Sequence, residues 1–460
     1  MVSLFKKFTL KLALVGILSL SNHAQAFDLM QAWEMSLSHD PQMAVARASK
    51  MGGEAYKEQA DALWRPTVLV NTVTGVSSSK SLLNGAEFSA PAFGRSTGVE
   101  FGTSMGNGSM NRWILSAKQS IYDVEKRAQG EQLNSAFKAS ALNATLMEQQ
   151  LALSTFERYA NVLKAQTLYA LIKNQLQAVT ASWREAKDRF ELGDAPVTDV
   201  YEANARAKSL QAQLNGVENE LQLSKLVLAN AMGISANDVL VKELKVSTRR
   251  LALAPLSQTL LDVQTNNISL EIRSLEVANA QLESQKYKQT ISPVLDAVAS
   301  VSKDQLQGSG DFGSAKSVQS QQMFGFNLSI PLYTGGARGG KLKETLALSD
   351  KSKAEYDMRR DQLLQLTHSV WSDLNTASDR LSAFDEALFA SQARLDATRI
   401  GRQVGDKTTL ELLNAENDMS QAQLAALQAK LDFLNNRLKI DVLTNQFSMH
   451  SMKKINDDFN

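Results

Sequence analysis

Apolar residues in the second half of this chain recur every three or four positions. Leu363, Leu366, Val370, Leu374, Ala377, Leu381, Phe384 and Leu388 make one such seam, the spacing of a helix packed lengthwise against its neighbours. The faces between are rich in Gln, Asn, Ser, Asp and Arg. No glycine or proline interrupts residues 131–192 or 341–400. A helix of that length would reach roughly 90 Å, far longer than a globular-domain helix. A second helix is expected after each run, from about Pro196 to Met232 with Gly233 ending it, and from Thr408 to about Asn445. Pro196 suits a first helical turn, where its missing N–H costs nothing.

A different period occupies four other places. Residues 67–74 follow Pro66, 113–121 follow a Gly/Ser/Asn stretch, 294–301 follow Pro293, and 324–330 follow another Gly/Ser stretch. The last alternates most clearly. Phe324, Phe326, Leu328 and Ile330 share one side, and Gly325, Asn327 and Ser329 the other. Each run is near the length a tilted strand needs to cross a bilayer, and apolar-out, polar-in alternation is the pattern of a membrane barrel. A soluble helical bundle would account for the helices alone. Four alternating runs in matching places argue against it.

The matching places come from a duplication. Leu192-Gly193-Asp194 and Val404-Gly405-Asp406 each join a long helix to a shorter one, and each is followed by Thr and an acidic residue. They lie 212 positions apart, and Tyr122 and Tyr333 lie 211 apart. Internal repetition therefore sets the division of the chain. A first repeat is expected over 27–240, with strands near 67–77 and 112–122 and a hairpin over 123–232 with its tip at 191–196. A second is expected over 241–446, with strands near 294–302 and 323–333 and a hairpin over 337–445 with its tip at 401–408. Residues 447–460 are left as a C-terminal tail. Gly193 and Gly405 are expected to be left-handed helix caps.

Residues 1–26 carry Lys6, Lys7 and Lys11, a short apolar core, and Ala24-Gln25-Ala26. That is the layout of a secretory signal peptide. Without it, 49 basic and 48 acidic residues become 46 and 48. Near-neutrality argues against nucleic acid as a partner. The chain has no cysteine, which excludes disulfides, thiolate metal sites and a lipid-modified mature terminus.

An open sheet edge cannot face lipid, and four strands cannot close a barrel. Several copies must therefore share one, and a hollow helical tube needs the same sharing. At this point the chain resembles the TolC family, the trimeric outer-membrane channel-tunnels of drug efflux and type I secretion. The resemblance rests on Asp28-Leu29-Met30-Gln31-Ala32 with Asp40-Pro41, Gln119-Ser120-Ile121-Tyr122-Asp123, Arg189-Phe190-Glu191-Leu192-Gly193, Thr198-Asp199-Val200, Ser329-Ile330-Pro331-Leu332-Tyr333-Thr334-Gly335-Gly336, and Val404-Gly405-Asp406-Lys407-Thr408. It covers nearly all of the chain after the signal peptide. It implies an α+β membrane protein whose duplicated hairpins and four strands trimerise into a 12-stranded outer-membrane β-barrel and a 12-helix periplasmic α-barrel. It also implies a periplasmic adaptor and an inner-membrane ABC or RND transporter as partners.

By position, the resemblance makes Glu411 an acidic pore residue and Lys407 a basic residue linking neighbouring helices at the periplasmic gate. Asp199 is a further candidate there. Asn414 stands where near relatives carry a second carboxylate, so one acidic ring is expected rather than two. Leu192, Gly193, Asp194, Val404, Gly405 and Asp406 become the adaptor-docking tips. The alternative for Lys407 and Glu411 is an ordinary i, i+4 surface pair. Phe324, Phe326, Leu328 and Ile330 are expected to face outer-membrane lipid.

Enzymatic readings find no support. His23, His39, His368 and His450 are isolated, without metal-ligand spacing. Gly308, Gly310 and Gly313 match a dinucleotide pattern but open no helix, so they read as an outer loop tip. Gly335-Gly336 and Gly339-Gly340 precede a helix without the lysine of a phosphate loop, and read as a strand-to-helix corner. No cofactor is expected. Export of proteins or adhesins by type I secretion is the leading reading, and small-molecule efflux is the alternative. A periplasmic coiled-coil adaptor, from a different class, would carry one hairpin rather than two.

Overall fold

The computed structural model describes residues 26–92, 94–242, 253–289, 291–310 and 313–459. The expected signal peptide, with His23, lies outside the described residues apart from Ala26, as do Asp311 and Phe312 of the glycine-rich tip.

Two short helices open the chain, α1 (Leu29–His39) and α2 (Pro41–Ala62). Asp28 and Gln31 form a reciprocal capping box on α1, at 2.8 and 3.0 Å, satisfying two of the donors a helix start leaves open. Asp40 caps α2 through the Gln42 N–H and receives Arg158 at 2.8 Å. Strands β1 (Thr67–Ala90) and β2 (Gly94–Tyr122) follow. Asp123 then caps α3 (Val124–Glu191), and a tip turns the chain into α4 (Val197–Met232). The order repeats as α5 (Leu256–Asn266), α6 (Ile268–Lys288), β3 (Val294–Gly310), β4 (Gly313–Ser329), α7 (Ala337–Gln403) and α8 (Thr409–Leu443). At 68 and 67 residues, α3 and α7 are each roughly 100 Å long. No described helix is long and apolar enough to cross a membrane.

The four strands form one antiparallel sheet in the order β1-β2-β3-β4, so β1 and β4 each keep one edge unpaired within the chain. Register places Phe324 opposite Ala299, Ala299 opposite Ala117, and Ala117 opposite Val68. Phe326 faces Ala297, Leu328 faces Leu295, and Val301 lies between Gln322 and Leu115. Directly opposed residues share a face, so these positions make a largely apolar face interrupted by Gln322 and, opposite Ala297, Gln119, with Phe324 and Phe326 exposed at 76% and 74%. The opposite face carries Asn327, Asp296 and Ser120 in one row. There Lys118 reaches Asp296 at 2.7 Å, and Arg112 forks onto Asp304 at 2.6 and 2.9 Å.

The strands differ in extent from the sequence expectation. β1, β2 and β3 run well beyond residues 77, 112 and 302, and β4 begins ten residues before 323. The added segments mix scattered apolar residues such as Leu82, Leu83 and Val318 with Ser, Gly, Gln and Asn, so they carry no strict period-two signal. β4 ends at Ser329, which leaves Ile330 just past the strand beside Pro331, a residue with no N–H for a ladder. The glycines expected in a loop tip are partly in β3. A Cβ on Gly310 would lie 1.8 Å from the Ser104 carbonyl, and one on Gly308 would lie 2.6 Å from the Gly108 Cα. β2 and β3 approach too closely there for any side chain.

The main core forms a belt around the middle of the long helices. It joins Leu29 and Trp33 of α1, Phe156, Tyr159 and Leu163 of α3, Leu228 and Met232 of α4, Val370, Leu374 and Leu381 of α7, and Leu434 and Leu438 of α8. The tail folds as α9 (Met449–Phe459). Met452 and Ile455 are fully buried in this belt, and Asn456 accepts the Met30 N–H at 3.1 Å. The Tyr159 hydroxyl donates to the Phe27 carbonyl at 3.0 Å and accepts the Lys242 N–H at 3.1 Å. Burial pushes its pKa upward, so it stays a neutral donor.

The α7 seam departs from its expected steps at one place. Leu366 is exposed, and Thr367 is buried instead, its hydroxyl donating to the Leu363 carbonyl at 2.7 Å. At the strand-to-helix corner, Gly335 and Gly336 take φ of 63° and 84°. Arg338 donates from the start of α7 to the carbonyls of Gln289 and Lys286, pairs with Glu125 at 3.1 Å, and lies over the Tyr287 ring at 5.6 Å. The glycines there turn a corner, with one guanidinium tying α3, α6 and α7 together.

Candidate functional site

The two helical tips are built alike. After α3, the Asp194 N–H returns to the Arg189 carbonyl at 2.8 Å and the Gly193 N–H to Phe190 at 3.0 Å. After α7, Asp406 returns to Gly401 at 2.8 Å and Gly405 to Arg402 at 3.1 Å. Both are Schellman closures, which need a left-handed residue just past the helix. Gly193 and Gly405 supply it, with φ of 83° and 85°. Leu192 and Val404 then project into solvent, with Asp194 and Asp406 exposed beside them. Pro196 is the N-cap of α4, one residue earlier than the first-turn place expected from sequence.

Glu411 sits in the first turn of α8 and completes a capping box with Thr408. Its Oε2 accepts the Thr408 N–H at 2.8 Å and the Thr408 hydroxyl at 3.1 Å, while the Glu411 N–H donates to Thr408 Oγ1 at 3.2 Å. Oε1 takes the Lys407 ammonium at 2.9 Å. The Thr408 N–H above all, then Lys407 and the Thr408 hydroxyl, hold the Glu411 pKa down at about 2. The same pair moves Lys407 upward. Within one chain, then, these residues form the i, i+4 pair that sequence spacing allows. The carboxylate remains about half exposed and permanently ionised at neutral pH. Asn414 is exposed one turn further. Asp199 lies in a cleft of about 190 Å³ between the tips, with Glu202, Thr408 and Leu413.

Three contributors escape sequence reasoning. Arg402 on α7 pairs with Glu185 on α3 at 3.0 Å, and so joins the two hairpins just behind the tips. Arg394 pairs with Asp418 on α8 at 2.8 Å. Gly401 leaves space for Lys407: a Cβ there would meet Lys407 Cγ at 2.8 Å. The two ion pairs depend on which helices lie side by side, and a single sequence carries no mark of that; the Gly401 contact follows from the local turn, whose Asp406 and Lys407 N–H groups both return to the Gly401 carbonyl. Among the described residues no cluster of His, Asp and Glu has metal-binding geometry. His39, His368 and His450 are exposed on three different helices.

A family model described as outer membrane efflux protein matches residues 32–234 and 262–446. The outer membrane efflux protein BepC of Brucella suis is 26% identical over 62% of this chain and 61% of its own length, so that match spans less than two thirds of the relative. The outer membrane protein TolC of Vibrio cholerae is 24% identical over 95% of each chain. The alkaline protease secretion protein AprF of Pseudomonas aeruginosa is 22% identical over 91% of this chain and 84% of its own. Among solved structures, the outer membrane protein VceC of Vibrio cholerae superposes with a TM-score of 0.69 at 18% identity, covering 92% of this chain and 95% of that one.

Proposed function

Since the chain belongs to the outer membrane efflux protein family, we propose that three copies of it form an export channel spanning the outer membrane and reaching far into the periplasm. The observation that carries this reading is the sheet. It is largely apolar on one face, ion-paired on the other, and unpaired at both edges. Exposed edges in hydrocarbon are untenable. β4 of one copy therefore pairs with β1 of the next, and three sheets close a 12-stranded barrel. Apolar residues left outside the core on the helices, among them Leu366 and Phe389 on α7 and Leu223 and Leu226 on α4, supply surface for the same assembly.

A tunnel of this kind receives cargo at the tips. The exposed Leu192-Gly193-Asp194 and Val404-Gly405-Asp406 turns are the docking points for a periplasmic adaptor, which links the channel to an inner-membrane ABC or RND transporter. The cargo is a protein delivered by type I secretion, a reading that the resemblance to AprF supports. The efflux names of BepC and the family itself support small molecules as the second reading.

Glu411 gives the mouth its charge. Three such carboxylates around one axis focus a negative potential that favours cations. Glu411→Gln separates charge from fold, because glutamine also completes a capping box. In planar bilayers that variant loses cation selectivity while its trimer survives. Lys407→Glu places two carboxylates on one turn, frays the start of α8, and raises single-channel conductance. The pH dependence has a definite sign. The folded pKa lies below the ordinary value, so the charge is complete above about pH 4.5 and is lost only as pH falls through about 2. Unchanged selectivity in Glu411→Gln would remove this residue from the pore. A monodisperse monomer in detergent would overturn the architecture.

A further inference from the structure

Behind the tips, a groove of about 410 Å³ runs between α3, α7 and α8. One wall is a continuous face of α3 from Leu163 to Ala178, roughly 22 Å long. Its opposite walls include Leu395 and Arg399 of α7, and Glu416 and Met419 of α8. The volume falls within the range of small-molecule sites, and the mixture of apolar walls with a few polar groups is typical of them.

Two buried acceptors in this groove lack donors. Glu416 Oε2 and Gln166 Oε1 are shielded from solvent, and neither receives a hydrogen bond. The Glu416 side chain is only 14% exposed. Gln175, beside it, gives its amide to the Glu416 main-chain carbonyl and to Ser420 Oγ, leaving Glu416 Oε2 without a donor. A buried acceptor without a donor costs free energy, and a charged one costs more.

Local charge leaves the same vacancy. Arg402 is paired with Glu185 at 3.0 Å and Arg394 with Asp418 at 2.8 Å. Arg399 is shared between Asp396 at 3.5 Å and Glu416 at 3.9 Å, both beyond a close ion pair. Four carboxylates thus meet three guanidinia, and Glu416 is the buried member. Burial also moves its pKa upward, against the pull of Arg399 and Arg402.

We infer that this groove is a binding site for a small organic ammonium, its N–H donors on Glu416 Oε2 and its apolar body along Leu163, Leu171, Leu395 and Met419. One added positive charge balances the cluster, and the groove's length admits an alkyl chain. The site lies within one copy of the chain and is distinct from the Glu411 mouth.

Hexylammonium chloride is the probe, titrated by calorimetry into the purified full-length channel, with hexanol as the neutral control of equal length. Wild type binds hexylammonium and not hexanol. Glu416→Gln weakens binding by about tenfold or more, the scale of one hydrogen bond to a charged group. Ala170→Leu fills the groove without changing charge or helix propensity appreciably, and also abolishes binding. Glu411→Gln leaves it intact. Equal affinity in Glu416→Gln and wild type, hexanol binding as well as hexylammonium, or loss in Glu411→Gln alone would each overturn the site. Should Glu416→Gln fail to assemble, retained binding in Ala170→Leu would do the same.

Discussion

Phe326→Lys prevents the chain from inserting as a trimer, whereas Asn327→Lys, one residue further, leaves assembly intact. Phe326 stands on the apolar face of β4, opposite Ala297 and beside Phe324 and Leu328. An ammonium at the bilayer midplane costs roughly 2–4 kcal/mol in a membrane barrel, and the trimer carries it three times. Asn327 points the other way, opposite Asp296, where Lys118 and Asp296 already show that charge is accommodated. The readout is the heat-modifiable trimer band in the outer-membrane fraction. Equal loss from both variants would mean that the two faces had been exchanged or that neither meets lipid.

The second large effect lies in the belt. Trp33→Ala destabilises the assembled channel by about 3–5 kcal/mol, the usual cost of deleting a large buried aromatic. Trp33 is almost completely buried and meets Phe447 edge-on at 5.8 Å. Its loss opens a hole where α1, α3 and α9 converge and frees the chain's last helix. Limited proteolysis should then cut near Phe447, and the melting temperature should fall. Trp33→Phe is expected to be mild, because the indole N–H is buried without an acceptor and removing it relieves that cost. If alanine and phenylalanine behaved alike, the belt would not depend on packing at this position.

Much of this fold is written in local pattern. Runs free of glycine and proline mark α3 and α7, and Gly193 and Gly405 mark the tips. Each acts through backbone geometry within a few residues, so one sequence suffices. The alternation of Phe324, Phe326 and Leu328 is legible because the two faces of a strand in different surroundings select opposite side chains. The outer strand segments were less legible because their apolar residues do not alternate: Leu82 and Leu83 are adjacent, among Ser, Gly and Asn. Leu366 and Thr367 show a related failure. Helical spacing permits either to join the seam, and only the neighbouring helices exclude Leu366.

The candidate site divides in the same way. Lys407, Thr408 and Glu411 are adjacent in sequence, so their capping box and ion pair follow from helix geometry alone. Arg402 with Glu185, Gln175 with Ser420, and the donorless Glu416 Oε2 required the side-by-side placement of α3, α7 and α8. Residue order by itself carried the duplicated hairpins and the alternation of β4, because periodicity and caps are local properties of a chain in a given solvent. Only the tertiary structure decided which charges are neutralised and which remain over, because pairing between helices hundreds of residues apart depends on their packing register, and no local signal encodes it.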